Sequence, residues 1–216
     1  MRYKKFGNTG ENLSVLCLGT WALGGKQFGA VTQEDAVAAV HAMIDCGVNI
    51  VDTAPIYASG GSEEVLGKAL QGGYRDKVFL ITKFGSEFVD PNDSDKGTIK
   101  DSSRKNMLKS IDASLKRLQT DHIDGYLMHW DDRVGTPIEE TIGCMKELKA
   151  AGKVRFLGMS NLERELADRL LADGVLDIVQ YPYNMVNRTK EDVLKYYASQ
   201  GCGTMVMDTR TTQNYN

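Results

Sequence analysis

Residues 51–70, VDTAPIYASGGSEEVLGKAL, pass from an apolar strand end through a glycine-bearing loop into an amphipathic helix. Asp52 closes the apolar run, Tyr57 lies on the loop five residues later, and Gly60-Gly61 precede a helix over 62–73. A buried strand followed by a short loop and a helix is one βα unit. The unit repeats on both sides. Upstream, VTQEDAVAAVHAMIDCG (31–47) reads as a helix, with apolar positions 37, 40, 43 and 44, Thr32-x-x-Asp35 as its start signal and a glycine stop. It leads into the strand 48–54. Downstream, strands at 77–85, 122–130, 154–161, 176–184 and 203–207 alternate with helices at 104–119, 136–153, 162–174 and 189–201. The helix 104–119 carries 107, 108, 111, 115 and 118 on one face, and the helix from 136 takes Thr136 as N-cap, Pro137 at its first position and Glu139 as a capping box. Before the first helix, VLCLGTW (15–21) reads as a buried strand, and RYKKF and NLSVL around GNTGE read as a hairpin.

Near-continuous apolar strands alternating with helices predict a parallel sheet covered by helices. A doubly wound sheet and a (β/α)8 barrel both carry that pattern. Up to seven βα-type strands and six helices exceed the usual open sheet of ~5–6 strands, and no G-x-G-x-x-G follows the first strand. The pattern favours a barrel of the TIM type, incomplete, over one domain spanning 1–216. The stretch 85–101 reads as a long loop of the kind that carries function.

Composition narrows the class of partner. With 42% hydrophobic and 25% charged residues, the 216-residue chain can bury a large core. Its net charge of -3 gives no basic patch for nucleic acid or an anionic membrane, and no apolar run approaches the ~20 residues of a membrane span. The first residues lack the apolar stretch of a signal peptide. The four cysteines, at 17, 46, 144 and 202, have no metal-ligand spacing; they read as reduced thiols of a cytoplasmic protein, with Cys17 and Cys46 as small buried hydrophobes.

The polar residues at the C-terminal strand ends are Asp52, Lys83, His129, Ser160-Asn161 and Gln180, with Tyr57 on a loop. In a barrel these ends converge on the face that holds the active site. Each has a plain alternative: a cap for Asp52, a solvated strand end for Lys83, a satisfied core imidazole for His129. Together they make more sense as a site. A lysine at the inner end of VFLITK needs a counter-charge if buried, and Asp52 on the adjacent strand can supply it. A tyrosine with an ordinary pKa near ~10 is a poor proton donor at neutral pH, and a neighbouring ammonium lowers that value. Tyr57 then reads as a general acid for carbonyl reduction or alcohol oxidation, with a neutral His129 orienting the substrate oxygen.

FGNTGENLSVLCLGTWALGG, VDTAPIYASGGSEEVLGKAL, FLITKFG, IDGYLMHW, GKVRFLGMSN and VQYPYN, in that order and spacing, resemble the aldo-keto reductase family over nearly the whole chain. The resemblance implies a (β/α)8 barrel behind an N-terminal hairpin, a small carbonyl substrate, and a nicotinamide cofactor across the C-terminal face. That cofactor is usually NADPH, with NADH as the alternative. It implies a catalytic tetrad of Asp52, Tyr57, Lys83 and His129. It also implies cofactor contacts at Gly19, Thr20, Trp21, Asp52, Ser160, Asn161 and Gln180, and a substrate pocket lined by Trp21 and Trp130. Full family barrels run on for about another hundred residues. Here GTMVMDTRTTQNYN places Met207 where the family has an aromatic and Asp208-Thr209 where it has a serine-proline turn. An eighth strand and the segment that grips the cofactor phosphates are not in this sequence. Two unpaired sheet edges are therefore expected, with self-association through them. The alternative function is a non-catalytic relative acting as an interaction module or an inactive fragment. A metal-dependent barrel hydrolase fits poorly, because His41 and His122 lie away from the mouth.

Overall fold

The structure, a computed structural model, describes residues 1–23, 31–90 and 93–208. Strands β1 (Tyr3–Lys5) and β2 (Asn12–Ser14) pair antiparallel as the expected hairpin, with Tyr3 opposite Ser14. The main sheet holds β3 (Leu18–Gly19), β4 (Ile50–Asp52), β5 (Phe79–Phe84), β8 (Ile123–Met128), β9 (Val154–Ser160), β10 (Ile178–Pro182) and β11 (Gly203–Met207). These seven strands are parallel and follow one another in chain order across the sheet. The chain never reverses its direction of winding, which rules out the doubly wound alternative. The sheet curls into an incomplete (β/α) barrel.

Helices α1 (Gln33–Asp45), α2 (Gly61–Ala69), α3 (Arg104–Leu118), α4 (Ile138–Ala150), α5 (Arg164–Ala172) and α6 (Glu191–Ser199) connect the strands. Thr32 caps α1 as its sequence predicts, accepting from the Asp35 N–H at 3.1 Å. Two apolar layers result. The larger packs the helices on the outer face of the sheet, through residues such as Val40, Leu66, Leu80, Met107 and Met145. The smaller fills the inside of the curl with Ile50, Phe79, Ile81, Leu127, Ile178 and Met205, plugged from the hairpin by Phe6 and Leu13. A Cβ on Gly203 would sit 2.7 Å from the Phe6 ring, and Asn8 N–H donates to the Gly201 carbonyl at 2.7 Å. The hairpin thus ties the far side of the sheet at the N-terminal end of the strands. Among the described residues no helix is long and apolar enough to cross a membrane.

Four expectations are corrected. The buried strand over 15–21 shrinks to Leu18–Gly19, with Val15 and Leu16 at 40% and 56% exposure, because among the described residues β3 is an edge strand with a neighbour on one side only. For the same reason Cys17 is exposed. Cys46, at the end of α1, is exposed as well, so neither is the buried hydrophobe expected. The 85–101 stretch is not a structureless loop: β6 (Glu87–Asp90) and β7 (Asp93–Ile99) form an antiparallel hairpin in it. The start of α4 is one residue later than expected. Pro137 is its cap without a side-chain hydrogen bond. The preceding turn is instead held by Asp132, whose Oδ1 accepts from the N–H groups of Val134, Gly135 and Thr136.

Candidate active site

Strand parity builds the site. Side chains two apart on a strand share a face. On the inner face Ile50 is followed by Asp52, Ile81 by Lys83, Leu127 by His129 just beyond the strand end, and Ile178 by Gln180. The face that is apolar at the bottom of the curl turns polar at its C-terminal mouth. Lys83 is 1% exposed there and Asp52 13%, with Lys83 Nζ 2.6 Å from Asp52 Oδ1. The ammonium also donates to the Thr53 carbonyl at 2.9 Å and to the Tyr57 hydroxyl at 3.4 Å. Its three N–H groups therefore find three acceptors. The Thr53 carbonyl is a member of the site that residue-type reasoning misses, since a backbone oxygen leaves no signature in the sequence.

Asp52 is held from its other side. Gln180 Nε2 donates to Asp52 Oδ2 at 3.1 Å, and Gln180 Oε1 accepts from Ser160 Oγ at 2.9 Å. Asn161 Nδ2 donates to Ser160 Oγ at 3.0 Å, and Thr20 Oγ1 donates to the Asp52 carbonyl at 3.0 Å. Gly19 lies opposite Asp52 in the ladder. Ser160, Asn161, Gln180, Asp52, Lys83 and Tyr57 thus form one connected polar network. Trp21 and Trp130 stand at the rim, 47% and 41% exposed. The Gln180 amide is committed at both ends within the protein, whereas Asn161 Oδ1 has no hydrogen bond among the described residues. Asn161 holds a left-handed conformation, with φ of 61°. Of the sequence expectations, Met207 ends β11 and Asp208 follows it, bonded through its carbonyl to Asn184 at 2.8 Å; Thr209 lies outside the described residues.

Tyr57 enters on a tight turn in which Ala58, Ser59 and Gly60 have φ of 51°, 53° and 95°. Such a run of left-handed residues costs about 1 kcal/mol for each non-glycine member. It is braced from below by Glu63, which is fully buried at the start of α2. Glu63 accepts from Thr82 Oγ1 at 2.6 Å and pairs with Arg117 at 2.6 Å. Thr82 is the neighbour of Lys83 on the outer face of β5. The Arg117 side chain lies against Gly60, where a Cβ would stand 2.9 Å from Arg117 Cδ.

Burial sets the protonation states. It works against the Lys83 ammonium, but Asp52 and Tyr57 outweigh it, and the net shift is upward. For Tyr57 the expectation of a lowered value is corrected. Burial raises its pKa, Lys83 lowers it, Asp52 raises it again, and the net shift is upward. His129 is pushed well below the usual imidazole value, first by burial and then by Lys83 and Lys100. Its ring lies edge-on to Tyr57 with centroids 6.0 Å apart and beside Trp130 at 5.8 Å. Lys100, at the end of the β6–β7 hairpin, reaches back over the Trp130 ring at 5.0 Å and is a second residue the sequence reading passed over. At the opposite end of the strands a cavity of about 310 Å³ is lined in part by Glu11, Arg75, Asp124 and Arg155. Its arginines are paired with its acids, which suits a structural role.

The aldo/keto reductase family model matches residues 15–211. The chain is 39% identical over 199 residues to the aldo-keto reductase YhdN of Bacillus subtilis, covering 92% of this chain and 58% of that protein. It is 34% identical over 203 residues to the NADH-specific methylglyoxal reductase of Escherichia coli, covering 90% of this chain and 62% of that one. The solved structure of the glycerol dehydrogenase AKR11B4 from Gluconobacter oxydans superposes with a TM-score of 0.85 at 32% identity, covering 99% of this chain and 68% of that chain. The chain therefore spans less than two thirds of the length of these two curated relatives.

Proposed function

The chain belongs to the aldo/keto reductase family, and from that premise we propose that it is a nicotinamide-dependent oxidoreductase that reduces an aldehyde or ketone to an alcohol, with Tyr57 as proton donor. The observation that carries the reading is the Lys83 ammonium, buried and shared between Asp52 at 2.6 Å and the Tyr57 hydroxyl at 3.4 Å. Burial makes the resting Tyr57 phenol a weaker acid, and the Lys83 ammonium 3.4 Å away is what works against that shift and favours loss of the proton. As the carbonyl oxygen gains negative charge it takes that proton, and the phenolate left behind is stabilised by Lys83. Asp52 keeps the ammonium charged and in place. His129, neutral at its depressed pKa, donates from a ring N–H to the same oxygen and orients it. Solvent returns the proton to Tyr57 after product leaves.

When bound, a nicotinamide would be the source of the hydride for the carbonyl carbon. The unspent Asn161 Oδ1, with the Ser160 hydroxyl behind it, fits the donor edge of its carboxamide. Gln180 supports that pair and Asp52 through its own two bonds. Gly19, Thr20 and Trp21 would flank the cofactor, and Trp21 and Trp130 the substrate. NADPH is the cofactor that the family resemblance favours; the name of the E. coli relative brings in NADH and a small dicarbonyl substrate. A cytoplasmic site of action and a single domain over 1–216 belong to the same reading.

A second reading, a non-catalytic interaction module, is favoured by the unpaired edges of β3 and β11 among the described residues. Tyr57→Phe separates the two. The account expects turnover of a carbonyl substrate to fall by a factor of ~10² or more, with an unchanged circular dichroism spectrum. Unchanged turnover would remove Tyr57 from its role.

A further inference from the structure

We propose that the mouth selects carbonyl substrates carrying an anionic group, held by Lys100 with Arg133 beside it. The proposal rests on the oxidoreductase reading above. Lys100 is half-buried, and its Nζ donates to Ser86 Oγ at 2.9 Å. Ser86 is itself 4% exposed and lies three residues beyond Lys83, so the ammonium is anchored to the rim of the same strand. Nζ stands 5.0 Å from the centroid of the Trp130 ring, that ring is 5.8 Å from His129, and His129 is 6.0 Å from Tyr57. One aromatic ring therefore separates the Lys100 ammonium from the imidazole that faces the substrate oxygen. The Arg133 N–H donates to the Lys100 carbonyl at 2.8 Å, which brings the second cation to the same rim.

The charge pattern here is unlike the rest of the molecule. Among the described residues, every other buried or half-buried lysine or arginine lies within 4.0 Å of a carboxylate. Lys100 is the exception; Arg133 beside it is exposed and likewise forms no ion pair among the described residues. Of the nearby acids, Asp131 forms no ion pair with either cation, its Oδ1 being buried without a hydrogen bond among the described residues, and the other two are engaged elsewhere. Asp101 Oδ1 accepts from Ser103 N–H, and Asp132 is taken up by Ser102 and the backbone of 134–136. Burial, and then Arg133, lowers the Lys100 pKa, the signature of a cation without a counter-ion. Neutral ligands such as Ser86 and Trp130 fix its position but leave its charge uncompensated. A carboxylate or phosphate at the far end of a small carbonyl compound would supply the missing charge while its carbonyl meets Tyr57 and His129.

The test uses three aldehydes on the same ring: 4-formylbenzoate, 4-formylphenyl phosphate and the neutral methyl 4-formylbenzoate. Each is titrated into the 216-residue chain, with binding read by calorimetry, and turnover is followed separately with NADPH. At least one anionic aldehyde is expected to bind about tenfold more tightly than the ester, and the advantage should shrink with added salt. Which of the two gains identifies the anion. Lys100→Met should bring the anionic probes to the level of the ester, and Lys100→Arg should restore the preference. Equal binding of all three, no binding of any, or a preference that survives Lys100→Met would overturn the proposal. Turnover of the ester with no anion preference would sink the anion site alone. Anion preference without turnover of any probe would sink the oxidoreductase reading and leave the anion site standing.

Discussion

At 1% exposure the Lys83 ammonium would be costly without acceptors, and Asp52, Thr53 and Tyr57 supply one for each of its N–H groups. Lys83→Met should strand the Asp52 carboxylate and destabilise the fold by about 3 kcal/mol in urea denaturation; a loss below 1 kcal/mol would mean that Asp52 is solvated well enough alone. His129 gives a pH signature. Its folded pKa is depressed, so below the ordinary value of 6.5 the unfolded chain binds a proton that the folded chain refuses. Its contribution to stability is present above that pH and is lost as pH falls from there towards the folded value, at up to about 1.4 kcal/mol per pH unit. His129→Gln should flatten that part of the stability–pH curve. A slope unchanged by the substitution would assign the acid sensitivity to other groups. Charge reasoning from the sequence could bring an ammonium to Tyr57, but it could not weigh that ammonium against desolvation, and the direction of the tyrosine shift came out opposite for that reason.

At the scale of elements, the contact between α2 and α3 depends on one missing side chain. A Cβ on Gly67 would lie 2.1 Å from the Arg117 carbonyl oxygen, a backbone atom that cannot step aside. Gly67→Ala gains about 1 kcal/mol of helix propensity but should still cost about 2 kcal/mol net, because α2 must move off α3 and carry the Tyr57 turn with it. A stabilised variant would contradict that packing. The strand and helix order was legible because the apolar runs of the central strands are buried on both faces, and β5 and β8 read as buried throughout. The edge strand was not legible: VLCLGTW is as apolar as a central strand, and only the absence of a neighbour exposes it. The β6–β7 hairpin was hidden for the opposite reason, since its acid-rich sequence, broken by Pro91 and Gly97, has the composition of a loop. The start of α4 went wrong because Asp132, four residues upstream of the expected cap, accepts from the Thr136 N–H that the capping box assigns to Glu139. The polar strand ends Asp52, Lys83, His129 and Gln180 could be read because each follows an apolar residue two positions earlier, whereas Lys100 breaks no pattern of its own segment.

Across the whole molecule, the sheet ends at β3 on one side and β11 on the other, and among the described residues neither edge is paired. Exposed Val15 and Leu16 flank one edge, and Val206 lies on the other at 47% exposure. Unpaired strands of this kind associate, so sedimentation at rising concentration should show a species larger than 23.8 kDa. A monomer at every concentration would mean that the edges are protected in solution. The central claim is that the polar network at the mouth binds a nicotinamide and uses Tyr57 as its acid. The most direct measurement is a fluorescence titration of the chain with NADPH, with NADH alongside, for wild type and Tyr57→Phe. The account predicts saturable binding of at least one cofactor by both proteins, with turnover only in wild type. A folded chain that binds neither cofactor would contradict it.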